Sequence, residues 1–290
     1  MPKIEEIVSV VGERVVDNAL FAGPATVEAT GFKYSRTTEK ELFDLCLAAA
    51  QNCNLEDVGA VIAASFSYGD RFPSLSARLV SSLNLPTSTM AFDLGLACSA
   101  YPYAIYLSGE IASSLNKKVL VIDGDKQSRL LDGADEKLRV VMGDAASATI
   151  VSTTEGESSF KTFTSFDHAL SCPSSGPISM DGFKVFSFVA TKVAALIKEI
   201  DLEDIKHFVP HQANMYMVRQ LAKSVGLEDR LITSGEKYGN VGSASIPLTL
   251  SENALSLANG SRALIAGFGA GLSAAALKVE IGENFRGVVL

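Results

Sequence analysis

A chain of 290 residues can bury a large core, either as one big domain or as two smaller ones. It is 47% hydrophobic with a mean hydropathy of +0.23. No apolar run reaches the roughly 18–20 residues that a helix spanning a bilayer needs, so no such span is expected. A net charge of −8 likewise argues against nucleic acid as the main partner. Four cysteines without paired spacing point to a reducing compartment. The opening MPKIEEIVSVVGERV carries acids and no apolar signal core, so the chain is expected in the cytoplasm.

From Glu41, ELFDLCLAAAQNCNLEDVGAVIAASF reads as an amphipathic helix, a turn at Leu-Glu-Asp and a strand. Cys46 and Cys53 fall on one face of that helix and read as core cysteines. RLVSSLNLP, from Arg78, is a second helix ending in a turn. In FDLGLACSAYPYAIYLSG a short apolar run gives way to a helix of small residues, which puts Cys98 at a helix start. Unpaired N–H groups and the helix dipole favour a thiolate there, so Cys98 is the candidate nucleophile. NKKVLVIDGD and GDAASATIVSTT read as strands buried on both faces. The stretch 153–179 is polar, Ser-rich and aperiodic, and marks the expected boundary between a half at 1–160 and a half at 161–290. Cys172 lies in it without supporting context, and His168 and His207 read as structural.

VFSFVATKVAALIKEIDLEDIKHFVPHQ, from Val185, again runs helix, Leu-Glu-Asp turn and strand, and delivers His211 where the strand yields to a helix. QLAKSVGLED is the next helix and turn. Asn240 sits in KYGNVGSASIPLTLSENAL, a Gly- and Ser-rich turn before another small-residue helix, where asparagine is by default a turn former. GSRALIAGFGAGLSAAALKVEI closes the series with two buried strands. The two series match segment for segment at an offset of about 145 residues, far too long for a solenoid repeat. Two α/β units in a pseudo-twofold arrangement are expected, with the small-residue helices packed between two sheets.

ACSAYPYA around Cys98, HQAN from His211 and GNVGSASIP around Asn240 resemble the nucleophile, histidine and asparagine motifs of the β-ketoacyl-acyl-carrier-protein synthase III family. GFGAGLSAA, from Gly267, is similar to that family's C-terminal glycine-rich loop, and GDRFPSLSARL to its Phe-Pro-Ser stretch. The resemblance implies an α/β, thiolase-like fold, a duplicated five-layer αβαβα sandwich, in a homodimer. It implies a condensing enzyme of fatty acid biosynthesis, in which Cys98 is acylated by a thioester. His211 and Asn240 would hold the thioester oxygen of a malonyl group as CO2 leaves. The N–H groups of Cys98 and Ala270 would form the oxyanion hole. Substrate contacts are implied at Gly269, at Ser243 and at Phe72, the last reaching across the dimer. The partners implied are acyl carrier protein and acyl and malonyl thioesters, with no metal or redox cofactor.

The chain departs from the family where coenzyme A would be gripped. It has no Trp, only EATGFKYSR from Glu28 answers to a longer N-terminal segment, and Glu136 and Lys137 stand where an arginine is expected. Carrier-bound acyl donors are therefore expected to outperform coenzyme A. Lys126, Arg129, Arg219 and Lys223 are candidate carrier contacts. Two alternatives stay open: transfer of the Cys98 acyl group to an amine or alcohol, and a non-catalytic subunit of a heteromeric synthase.

Overall fold

The central strands of the main sheet are runs rich in Val, Ile, Leu and Ala that are buried on both sides, which is what layered α/β packing requires. The computed structural model describes residues 1–131, 136–173, 177–257 and 259–290. In chain order its framework is β1 (Pro2–Val11), α1 (Leu42–Gln51), β2 (Val58–Ala64), α2 (Leu75–Ser82), β3 (Met90–Leu94), α3 (Ala100–Leu115), β4 (Lys118–Lys126), β5 (Asp144–Thr153) and β6 (Phe160–Asp167). There follow α4 (Gly182–Phe188, continued by a π-turn at Val189–Val193 and by Ala194–Lys198), β7 (Ile205–Pro210), α5 (Met215–Val225), α6 (Ser245–Glu252), β8 (Arg262–Gly269) and β9 (Gly271–Val289).

The duplication is visible in the strand order. In the first half β3, β2, β4, β5 and β1 lie side by side, with β2 parallel to β3 and β4 and the β4–β5 and β5–β1 pairs antiparallel. In the second half β7, β8, β9 and β6 repeat that arrangement, parallel at β7–β8 and antiparallel at β8–β9 and β9–β6. The counterpart of β3 is reduced to one parallel bridge between Phe208 and Leu231. The expectation of two separate sheets needs one correction. β1 also pairs in parallel with β9, from Lys3 opposite Glu280 to Ser9 opposite Val289, so both halves form a single nine-stranded sheet, an eight-strand path with β6 branching off at β9.

Side-chain alternation builds the layers. Along β4, Leu120 and Ile122 face α1 and α2 in an outer cluster with Leu45, Ala49 and Leu79. Val119 and Val121 face the other way, into a central cluster where Tyr101, Ala104 and Ile105 of α3 meet Ile265 of β8 and Val279 of β9. On the far side Leu264, Ala266 and Phe268 of β8 pack under α4 and α5. The order is therefore helices, strands, α3 with α6, strands, helices. Small residues let α3 fit the middle: a Cβ at Gly109 would lie 3.0 Å from Cβ of Pro2. Among the described residues no helix is long and apolar enough to cross a membrane.

Candidate active site

The turn that carries Cys98 is short and sharp. After β3 the chain passes Ala97, whose φ of +46° is left-handed for a residue with a Cβ, and makes a 3₁₀ turn over Ala97–Ser99 before α3 begins. Cys98 thus stands at the start of α3, as expected. The Ser99 and Ser273 hydroxyls pair at 2.7 Å, and the proton that the pair leaves free reaches the Leu96 carbonyl from Ser99 or the Ala270 carbonyl from Ser273. These bonds stitch the turn to the β8–β9 hairpin. Glycines line the place where the two touch. A Cβ at Gly269 would lie 3.1 Å from Cys98 Cβ, and one at Gly267 would lie 3.0 Å from the Cys98 carbonyl oxygen.

His211 follows β7. Its N–H donates to the Ala266 carbonyl at 2.8 Å, and its ring meets Phe268 edge to face at 5.4 Å. The next residue holds the corner: Gln212 N–H donates to Ser245 Oγ, its side-chain NH2 donates to the Pro210 carbonyl, and its Oε1 accepts from Ser234 and Gly235 N–H. Asn214 then caps α5 by accepting the Met217 N–H at 2.7 Å. His211 is 2% exposed, and burial lowers its imidazole to about 3, so the ring is neutral. Nδ1 is buried with no hydrogen-bond partner among the described residues, which leaves Nε2 for the cavity.

Asn240 is oriented by its own turn. Its Oδ1 accepts the Gly242 N–H at 3.0 Å, its N–H donates to the Val141 carbonyl, and its carbonyl accepts from Gly143 N–H and from Gln127 Nε2 at 2.7 Å. With Oδ1 engaged by a backbone donor, Nδ2 is the free end of the amide. Cys98, His211 and Asn240 line one cavity of about 440 Å3, together with Gly269, Ala270 and the apolar side chains of Met142, Val185 and Met217. It is an apolar chamber into which a thiol, a neutral imidazole and an amide NH2 project.

One electrostatic expectation fails. The helix start was expected to favour the thiolate, but Cys98 is 8% exposed and burial pushes its thiol up to about 12. The Asp125 carboxylate adds to the rise, and a hydrogen bond from its own backbone N–H opposes it. Loss of water around Sγ outweighs the partial charge of a few N–H groups, so the resting residue is a thiol.

A β-ketoacyl-acyl-carrier-protein synthase III of Streptococcus uberis is 30% identical over 289 residues, covering 87% of this chain and 89% of the relative. The chain belongs to the β-ketoacyl-acyl-carrier-protein synthase III family. Its model "3-Oxoacyl-[acyl-carrier-protein (ACP)] synthase III" matches residues 92–168, and the C-terminal model of that name matches 197–281. A 3-oxoacyl-(acyl-carrier protein) synthase from Burkholderia xenovorans superposes with a TM-score of 0.91 at 27% identity, over 99% of this chain and 96% of that one. The synthase III of Pseudomonas aeruginosa gives 0.89 at 25% identity, over 97% and 98%. The fold is thiolase-like.

Within this synthase III chain the remaining expectations land in different places. Gly269 and Ala270 line the cavity. Ser243 does not: it is buried, and its N–H and hydroxyl both donate to Asp125. Phe72 is 86% exposed, outside the cavity lining. Cys172, given no role from sequence, lines the cavity. Arg219 is ion-paired with Glu236 at 2.8 Å, and Lys126 Nζ donates to the carbonyls of Glu39 and Lys40. The side chains of Glu136 and Lys137 lie outside the described residues.

Sequence reasoning missed two carboxyls, Asp123 and Asp125, both fully buried on the inward face of β4. The available signal was two acids ending the alternation begun by Val119 and Val121. Asp123 finds no hydrogen-bond partner among the described residues, and burial, with Asp125 beside it, pushes its carboxyl well above the usual range.

Proposed function

We infer that this chain is a cytoplasmic condensing enzyme of the 3-oxoacyl-acyl-carrier-protein synthase III type, with Cys98, His211 and Asn240 as its catalytic residues. The observation that carries those roles is a single apolar cavity faced by a thiol, a neutral imidazole and an amide whose oxygen is already engaged. In the first half-reaction Cys98 Sγ bonds to the acyl carbon of a thioester as the acyl–sulfur bond of the carrier breaks. The thiol proton leaves with the departing pantetheine thiol. His211, weak as a base, serves as a hydrogen-bond donor through Nε2.

In the second half-reaction a malonyl thioester enters. Its carboxylate departs as CO2, and the electron pair left behind becomes an enolate whose oxygen accepts from His211 Nε2 and Asn240 Nδ2. Water exclusion by the apolar walls strengthens both bonds. The enolate carbon attacks the acyl-Cys98 carbonyl, the oxyanion rests on the N–H groups of Cys98 and Ala270, and collapse expels the Cys98 thiolate, which takes up a proton. A neutral imidazole and an amide NH2 lining one apolar cavity favour this course over transfer to an amine or alcohol. The retained Cys98, His211 and Asn240 weigh against a silent subunit.

The acyl and malonyl groups arrive on acyl carrier protein, and two copies form the enzyme, joined where Phe72 stands free. Residues 1–160 and 161–290 are its two halves, a division supported by the repeated strand order. Carrier-bound donors are preferred, because a chain with no Trp and with Glu136 at the grip lacks the stacking and charge that hold a nucleotide. The test is to present one acyl group on coenzyme A and on a carrier protein, and to follow the intact mass of the protein and the release of CO2 from malonyl thioester. One added acyl mass, formed faster from the carrier and followed by CO2-dependent turnover, is expected. Faster acylation from coenzyme A defeats the carrier preference, and no acyl mass from either defeats the enzyme.

A further inference from the structure

Asp125 is the most heavily hydrogen-bonded side chain near the cavity, yet it does not line it. Oδ1 accepts from the hydroxyls of Ser65 (3.1 Å) and Ser67 (3.0 Å) and from the N–H groups of Phe66 (3.0 Å) and Ser67 (3.2 Å). Oδ2 accepts from Ser243 N–H at 2.9 Å and Ser243 Oγ at 2.7 Å. One carboxylate thus joins the loop after β2, which puts Phe66 on the cavity wall, to the turn after Asn240. The joint is close. Gly242 has a φ of +64°, and a Cβ there would lie 2.5 Å from Asp125 Oδ2. Gly242 N–H is also the donor that engages Asn240 Oδ1. The chain of contacts from Asp125 through Ser243 and Gly242 to the Asn240 amide has no slack in it.

We propose that Asp125 is a positioning residue for the condensation: by clamping Gly242 and Ser243 against the Phe66 loop it fixes the direction in which Asn240 Nδ2 points. The proposal rests on the decarboxylation role given to Asn240 above. Charge supports the geometry. Full burial raises the Asp125 carboxyl only to about 6, because hydrogen bonds from Ser243, Phe66 and Ser67 stabilise the ionised form. At neutral pH it is therefore an acceptor on both oxygens, which suits six donors and no others. It also places Ser243, expected to contact substrate, in a different task.

The experiment compares Asp125→Asn and Ser243→Ala with wild type in two rates: CO2 release from malonyl-acyl carrier protein, and alkylation of Cys98 by iodoacetamide. The amide of Asp125→Asn turns an NH2 toward donors on one side and opens the clamp. CO2 release should fall on the order of 100-fold, in kcat rather than KM, as expected for a donor displaced by about an ångström. Alkylation of Cys98 should hold or quicken, since a negative charge near the thiol has gone. Ser243→Ala keeps the backbone bond and loses one charge-assisted hydrogen bond, for a fall of about tenfold. That milder variant decides the matter if Asp125→Asn does not fold. Unchanged CO2 release in the folded variants, or equal falls in both rates, overturns the proposal. A wild-type protein that alkylates normally but releases no CO2 defeats the role of Asn240 instead.

Discussion

The two halves of the molecule use the same backbone device for opposite ends. Before α3 a left-handed Ala97 opens a 3₁₀ turn over Ala97–Ser99, and before α6 a left-handed Gly242 opens one over Gly242–Ala244. Counting from those residues, Ser243 is the mate of Cys98. Their neighbours correspond as well. Gly269, opposite Ser273, closes on Cys98, and Asp125, opposite Ala145, closes on Ser243. Where the first turn meets a glycine, its side chain is left facing a cavity. Where the second meets a carboxylate, its side chain is bonded down, and the side chain that lines the cavity is three residues back, at Asn240. One turn presents its side chain to the cavity, and the other ties its side chain to the neighbouring strand.

That contrast can be broken most severely at Cys98. Cys98→Ala should abolish the acyl mass added by an accepted thioester, whereas the corresponding change at Cys46, Cys53 or Cys172 should leave it. Mass spectrometry of the intact variants checks this, and an acyl group surviving in Cys98→Ala would falsify the role. Next come the donors. His211→Ala or Asn240→Ala should slow CO2 release from malonyl thioester by ~100–1000-fold, the usual loss for one such donor. Acylation of Cys98 should change much less, and a comparison of the two half-reactions reads the asymmetry.

The electrostatic side of the contrast predicts a slope. With the thiol of Cys98 raised to about 12, the reactive thiolate appears only as pH climbs. Iodoacetamide labelling should therefore rise about tenfold per pH unit between pH 7 and 9. A plateau below pH 8 would mean that the helix start, not burial, governs the thiol. The smallest effect belongs to the glycine. Gly269→Ala puts a Cβ 3.1 Å from Cys98 Cβ. A displacement of a few tenths of an ångström should slow acylation about fivefold, visible in the acylation rate with the melting temperature little changed.

Much of this was legible because it is local. A small-residue helix after an apolar run puts Cys98 at a helix start, a strand end followed by His-Gln-Ala-Asn puts His211 at a corner, and glycines around Asn240 announce a turn. The matching order of segments disclosed the duplication. What escaped is held together by pairs far apart in the chain. Ser99 with Ser273, Ser243 with Asp125 and the β1–β9 pairing join residues that no periodicity relates. Ser243 was misplaced because a motif match does not say where each side chain points, and the carboxylate that holds it, Asp125, lies 118 residues away in the chain. The thiolate expectation failed for another reason. Sequence gives the helix dipole but not the depth of burial that opposes it.

The seam between β1 and β9 bears on how the molecule comes together. Its partners lie at nearly opposite ends of the chain, so closing it carries a large loop entropy and little local reward. The β4–β5 and β8–β9 antiparallel pairs, each built from neighbouring segments, can order much earlier and at low entropic cost. Folding should therefore begin twice, once in each half, with the seam zipping shut as the final act. In native-state hydrogen exchange the β1 amides that donate across the seam to β9 should lose protection before the β1 amides that donate to β5 and before the strands at the centre of either half.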